Sequence, residues 1–205
     1  MKITLQHISK KYNSNWIFKD IHVEINAQEK LAVLGSNGSG KSTLLQMIAG
    51  YVSPSEGKIL YDADQVSIEM DIYKHISICA PSTELIEEFT LIEYVDFYSQ
   101  LKPLMASMKA NEIAELCYLE SAKNRMIQTY SSGMKQRLKL ALAALSKTPV
   151  LLLDEPTSNL DLQGIDWYKN LISTFAMHKS IVVCSNQMND EYFYCTKVIN
   201  INDYK

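Results

Sequence analysis

Two segments near the start of the chain, KITLQHI (2–8) and IHVEI (21–25), alternate apolar and polar residues. That period of two predicts strands with one buried face. The pattern then changes: KLAVLG (30–35) is almost wholly apolar, as a strand covered on both faces should be. A glycine-rich loop follows, and STLLQMIA (42–49) continues at helical spacing. After the turn SPSEG, the segments KILYD and HISIC read as two more strands. From Thr90 the period is helical, with Leu91, Tyr94, Val95 and Tyr98 on one face and a capping box between Thr90 and Glu93. Helical patterning runs on to Leu145, with breaks near Pro103 and over 121–130. The buried strand PVLLLD, a helix from about Asp161 to Met177, the strand SIVVC, a short helix and the strand KVINI complete the chain. Strands alternating with helices predict an α/β fold with a parallel core, and the helical block at about 83–135 reads as an insertion into it.

Length and composition leave this reading in place and remove others. A chain of 205 residues suits one domain over 1–205, with 47% hydrophobic and 21% charged residues. A net charge of −3 predicts no nucleic-acid partner. The four cysteines (Cys79, Cys117, Cys184, Cys195) lack CxxC spacing and read as buried reduced thiols rather than a metal site, which suits a reducing cytosol. MKITLQHISK has no signal-peptide core. The longest apolar tract, 140–153, is broken by Lys147 and Pro149, so no span of a bilayer is expected.

Three motifs carry chemistry. GSNGSGKST (35–43) matches GxxxxGK(S/T), follows a buried strand and opens a helix, the context a phosphate-binding loop requires. Gly35, Gly38 and Gly40 let the backbone curl, so that the N–H groups of Ser36, Asn37, Ser39 and Thr43 and their neighbours face a phosphate beside a helix N-terminus. Lys41 would reach the β- and γ-phosphates of a nucleotide, and Ser42 would offer its hydroxyl to Mg²⁺. VLLLDEP (150–156) delivers Asp154 to the end of an apolar strand, where a carboxylate would face the metal's water shell. Glu155 could polarise an attacking water as general base. The alternative is that two acids simply end a strand. The third motif, YSSGMKQRLKLALAAL (130–145), is an amphipathic helix preceded by two serines and a glycine where one polar cap would do.

The order GSNGSGKST, YSSGMKQR, VLLLDEPTSNLD resembles the ATP-binding subunit of an ABC transporter over essentially the whole chain. The resemblance implies a P-loop NTPase core of mainly parallel strands, an N-terminal antiparallel β subdomain and an inserted helical signature subdomain. It implies ATP and Mg²⁺ as cofactors and hydrolysis of ATP. Two such domains stack head to tail as a homo- or heterodimer, so Ser131, Ser132 and Gly133 would cap the γ-phosphate of a partner's ATP, as a positive helix end favours. YSSGM keeps one glycine of the family's LSGGQ, and Met134 removes an amide. Tyr12 matches the aromatic that stacks on adenine, with core or surface packing as its other reading and Trp16 as a substitute. Asp161 would couple the two sites of a dimer.

Two positions depart from the family. A glutamine that contacts Mg²⁺ and senses the membrane partner is replaced by Ser82. A histidine that grips the γ-phosphate is replaced by Asn186, with Gln187 the nearest alternative, and asparagine is shorter and never cationic. None of His7, His22, His75 and His178 stands in for it. Hydrolysis is therefore expected to be slow. The expected function is a motor subunit docked on an integral membrane subunit encoded separately, on the cytoplasmic face of the inner membrane. The chain stops soon after KVINI, like small exporter subunits of the cytochrome c biogenesis (haem exporter) type. The alternatives are a soluble ABC protein acting on ribosomes or DNA, which would carry paired domains or long coiled coils, and a nucleotide binder with little hydrolysis. A small-molecule kinase sharing only the phosphate loop is opposed by the other two motifs.

Overall fold

Strict alternation would bring Ile3, Leu5 and His7 to one face of the first strand, yet His7 is exposed and Ile8 is fully buried. A computed structural model, which describes residues 1–63, 66–67, 71–105 and 108–205, shows why. Strands β1 (Lys2–Tyr12) and β2 (Asn15–Ile25) form an antiparallel hairpin turning at Asn13, φ 55°. Their pairing shifts between Leu5 and Ile8, with His7 at φ 52° and Asp20 at φ 56°. One extra residue in a strand exchanges its faces, so the bulge turns His7 outward and returns Ile8 to the core beside Phe18 and Ile21. His7 Nδ1 and Asp20 Oδ1 then meet at 2.7 Å in solvent.

Strand β3 (Lys30–Leu34) leads into helix α1 (Lys41–Ile48). Strands β4 (Glu56–Ala63) and β5 (Val66–Ser67) extend the first sheet in the order β2-β1-β4-β5. Helix α2 (Ile72–His75) runs into β6 (Ile76–Cys79), an edge of the second sheet. With β7 (Val150–Asp154), β8 (Ser180–Ser185) and β9 (Lys197–Asn200) the order of that sheet is β6-β7-β8-β3-β9. β8 is parallel to β3 and β7, and β3 is parallel to β9. Every residue of β7 and β8 is buried, which is why both read as unbroken apolar runs. The antiparallel sheet, the parallel sheet and α1 share one core that includes Ile3, Phe18, Val33, Leu44, Leu152 and Val182.

The chain divides into two compact units. The first comprises Met1–Ile78, Thr148–Glu155 and His178–Lys205, and the second Cys79–Lys147 and Pro156–Met177. The second therefore extends past the expected 83–135. It holds α3 (Leu91–Leu101), α4 (Ala110–Leu116), α5 (Ser132–Leu145) and α6 (Leu162–Phe175). The Trp167 indole N–H donates to Leu116 O at 2.7 Å, tying α6 to the end of α4. The capping box at Thr90 is present, with Glu93 Oε2 accepting from the Thr90 N–H at 2.8 Å. Residues 83–89 are not helical. Ile127 N donates to Phe89 O and Gln128 N to Glu87 O, while Phe89 N turns back to Ile86 O, so the stretch spends these backbone groups on a turn and on contacts with 127–128. A last short helix, α7 (Asn189–Tyr192), follows β8 in the first unit. Among the described residues no helix is long and apolar enough to cross a membrane.

Candidate functional site

In the first unit the carboxyl ends of β3, β7 and β8 lie side by side, Leu34 opposite Ser185 and Asp154 opposite Cys184. Open parallel sheets bind ligands beyond this edge. The loop from β3 to α1 curls there, closed by Ser39 N donating to Ser36 O at 3.1 Å. Ser36, Asn37 and Gly38 stand exposed at its crest, while Ser39 is buried. Gly40 has φ +105°, and a Cβ there would sit 2.5 Å from Ile17 Cγ2, so both conformation and space demand glycine. Lys41 is buried inside the curl, its Nζ donating to Gly35 O at 2.8 Å and Ser36 O at 3.0 Å. Ile17, residues 37–43 and Glu155 line a cleft of about 220 Å³.

Asp154 ends β7 only 4% exposed. The Ser42 hydroxyl lies close enough to its carboxylate to favour the charged form, yet Oδ1 is buried without a partner. Burial pushes the Asp154 carboxyl above its ordinary range, the Glu155 charge adds to that, and Ser42 and Lys41 oppose it. An unpartnered anionic oxygen beside a hydroxyl is a hard-oxygen donor set, and these residues fit Mg²⁺. Glu155 follows in left-handed backbone at φ 45°, its N–H bound to Cys184 O at 2.9 Å and its side chain on the cleft. A non-glycine residue held in that region marks a place where conformation is dictated by its surroundings.

Asn186 leaves the end of β8 one residue past the pairing of Leu34 with Ser185, which places it alongside Gly35. The side chain is exposed and does not line the cleft. The loop it starts is tied down by the Ser185 hydroxyl, which donates to Glu191 Oε2 at 2.5 Å and accepts from Met188 N at 3.2 Å. Gln187 sits at φ 63°. Tyr12 closes β1 48% exposed, with the Lys10 ammonium 4.9 Å from its ring centroid. Trp16 is half-buried and carries two ammonium groups, from Lys11 and Lys19, at 5.0 and 5.1 Å. Tyr12 is thus the less encumbered ring.

The second unit holds the remaining candidates. Helix α5 begins at Ser132, so Ser132 and Gly133 belong to its first turn instead of preceding it. Ser131 alone is the cap, its Oγ accepting from Met134 N at 3.2 Å. Gly133 answers a local demand: a Cβ would stand 2.9 Å from Asn159 O. Residues 131–134, Arg137 and 159–161 line a cleft of about 260 Å³. Tyr130 is buried, its hydroxyl donating to Ala122 O at 2.9 Å, a packing role rather than a binding one. Asp161 caps α6 through Gly164 N at 2.8 Å. Ser82 is exposed in the turn closed by Thr83 N to Ala80 O.

A model of the ABC transporter family matches residues 18–158. The chain belongs to that family. A spermidine/putrescine import ATP-binding protein of Clostridium acetobutylicum is 32% identical over 164 residues, 78% of this chain and 47% of its own. An uncharacterized ABC transporter ATP-binding protein of Bacillus subtilis is 30% identical over 200 residues, 96% of this chain and 66% of its own. The chain thus spans about half to two-thirds of the length of these curated relatives. An ATP-binding cassette solved as a dimer in a post-hydrolysis state with ADP and Pi matches with TM-score 0.81 at 24% identity, over 97% of this chain and 93% of that one. At that identity the likeness is one of fold: this is the P-loop NTPase fold of ABC ATPase domains.

Within this ABC domain, Gln136 escaped the sequence reading. It is buried on α5, its Nε2 donating to Pro156 O at 2.9 Å, where it holds the start of the loop that leads to Asp161. Its position one turn before Leu140 on a buried helix face was the available signal.

Proposed function

We propose that this chain binds ATP and hydrolyses it as the motor subunit of an ABC transporter. The observation that carries the reading is the meeting of Lys41, Ser42 and Glu155 on one cleft, with Asp154 beside them, its Oδ1 buried and unpartnered. The backbone N–H groups of 36–43 and the end of α1 would hold the phosphates, Lys41 would meet the β- and γ-oxygens, and Tyr12 would stack on adenine. Ser42 and Asp154 would hold Mg²⁺, which when bound neutralises charge on the phosphates. Glu155 orients the attacking water and takes its proton; Asn186, exposed outside the cleft, would have to turn toward the γ-phosphate to donate as charge develops.

In the same reading two copies, or this chain and a similar one, pair head to tail. The exposed hydroxyls of Ser131 and Ser132, Gly133 and the N-terminal end of the 14-residue α5 would then close over the partner's ATP, with Asp161 coupling the two sites. Ser82 stands where the family senses a membrane partner. That partner is an integral subunit on another chain, which places this one at the cytoplasmic face of the inner membrane. The names of relatives, one a spermidine/putrescine import protein and another a lantibiotic transport protein, support transport as the work done.

The test uses Glu155→Gln, which removes the base and keeps the shape. With MgATP this variant should run as a dimer in size exclusion and release no phosphate, whereas Lys41→Ala should stay folded and lose ATP affinity about ten-fold or more. Unchanged ATP affinity in folded Lys41→Ala would refute the reading.

A further inference from the structure

We infer that Lys205, far from any recognised motif, is a positioning residue for the phosphate loop. Its Nζ donates to Ser39 O at 2.8 Å and to Ile17 O at 2.9 Å, across 166 and 188 residues of sequence. The segment before it makes a second contact with the loop. Ile201 is fully buried, and its Cγ2 lies 2.6 Å from where a Cβ on Gly35 would stand. A short 3-10 turn, Ile201–Tyr204, follows β9 and is fixed at its start by Asn200 Oδ1 accepting from Asn202 N at 3.1 Å. The loop is therefore held at its first residue by a methyl group and near its last by an ammonium.

The ammonium matters because of which peptide it grips. Ser39 lies between Gly38 at φ +74° and Gly40 at φ +105°, two residues whose freedom would let the intervening peptides rotate. Ser39 O and the Gly40 N–H belong to one trans peptide and point in opposite directions. Holding the carbonyl on Lys205 fixes the N–H of Gly40, a residue lining the cleft. The Ser39 hydroxyl is buried without a partner, so it supplies no competing anchor. Ile17, the second carbonyl gripped, lines the same cleft, so one side chain links the loop to the wall facing it. Lys205 thus preorganises donors for phosphate without touching the nucleotide.

This inference rests on the ATP reading of the site, and its experiment separates the two. Affinities for MgATP, MgADP and adenosine are measured by competition against a fluorescent nucleotide in wild type, Lys205→Met and Lys205→Arg, with melting temperatures taken without ligand. Because Lys205 is exposed, the substitutions leave the core intact. Lys205→Met should weaken both nucleotides roughly three- to ten-fold, leave adenosine unchanged and shift the melting temperature little. Lys205→Arg should restore nucleotide affinity. Wild-type affinity for MgATP in Lys205→Met overturns the proposal, as does an equal loss for adenosine, which would mark a general structural role. Failure of the wild type itself to bind MgATP would instead sink the ATP reading on which the proposal stands.

Discussion

Asp154→Asn offers the sharpest test of the proposed metal-binding carboxylate, because it should stabilise the protein while disabling the site. The substitution keeps the shape and removes the charge. Asp154 is 4% exposed, with Oδ1 unpartnered, and a buried acceptor left unpaired costs about 1–3 kcal/mol, more when ionised. The Ser42 hydroxyl and the Lys41 charge offset part of this, while Glu155 adds to it. Asparagine still leaves a polar atom unpartnered at that position, so only the cost of burying the charge is relieved, and the net gain is about 1 kcal/mol, or a rise of about 2–4 °C in melting temperature for a chain of this size. The sign with pH follows from the raised pKa: the folded carboxyl holds its proton more tightly than the unfolded one. Its favourable contribution is present below the ordinary aspartate range and is lost as pH rises through the raised folded value. Wild-type stability without ligand should therefore fall across that window relative to Asp154→Asn, and the gap should be full once the pH exceeds the raised folded value. Calorimetry with and without MgATP reads both arms: the wild type should be strongly stabilised by MgATP and the variant scarcely. A variant melting at or below wild type at neutral pH, or showing the same pH dependence, would refute the account of Asp154 as a strained, desolvated ligand.

Gly133→Ala drives a methyl to 2.9 Å from Asn159 O, so it should cost about 1–3 kcal/mol in thermal unfolding and weaken the MgATP-dependent dimer of Glu155→Gln in size exclusion. Asn186→His should raise ATP turnover, by up to the order of 10²-fold in phosphate release with little change in ATP affinity, because it adds a charge-capable donor. Adding Ser82→Gln should enlarge that gain; no gain in either variant would remove Asn186 from the catalytic set.

What was legible in the sequence divides along physical lines. The phosphate loop, the DEP segment and the buried strands were legible because local grammar dictates them: an apolar run, then glycines, then a helix, with the carboxylate at a strand end. The faces of β1 were not, since Ile8 replaces His7 in the core only through the bulge paired with β2. Helix α5 starts two residues earlier than its apolar spacing predicts: glycine discourages a helix locally, yet the approach of Asn159 O demands glycine within the first turn. The extent of the second unit was also hidden, because α6 joins it through contacts such as Trp167 with Leu116 that no periodicity reports.

These cases point to one division of labour in the site. The proposed chemistry falls to residues whose neighbours in sequence announce them, Lys41 by its glycines and Asp154 by its apolar strand. The geometry sits on residues announced faintly or not at all: Gln136, marked only by its buried helix face, reaching Pro156, Glu191 tying the Ser185 loop, Lys205 gripping Ser39. A positioning contact needs only one polar atom at the right place in space, so it can come from any part of the chain and leaves no pattern. A phosphate cradle needs consecutive N–H groups and left-handed turns, so it must be written in consecutive residues. That is why a motif can reveal where ATP would bind, while how firmly the loop is held depends on a lysine 166 residues away from the carbonyl it grips.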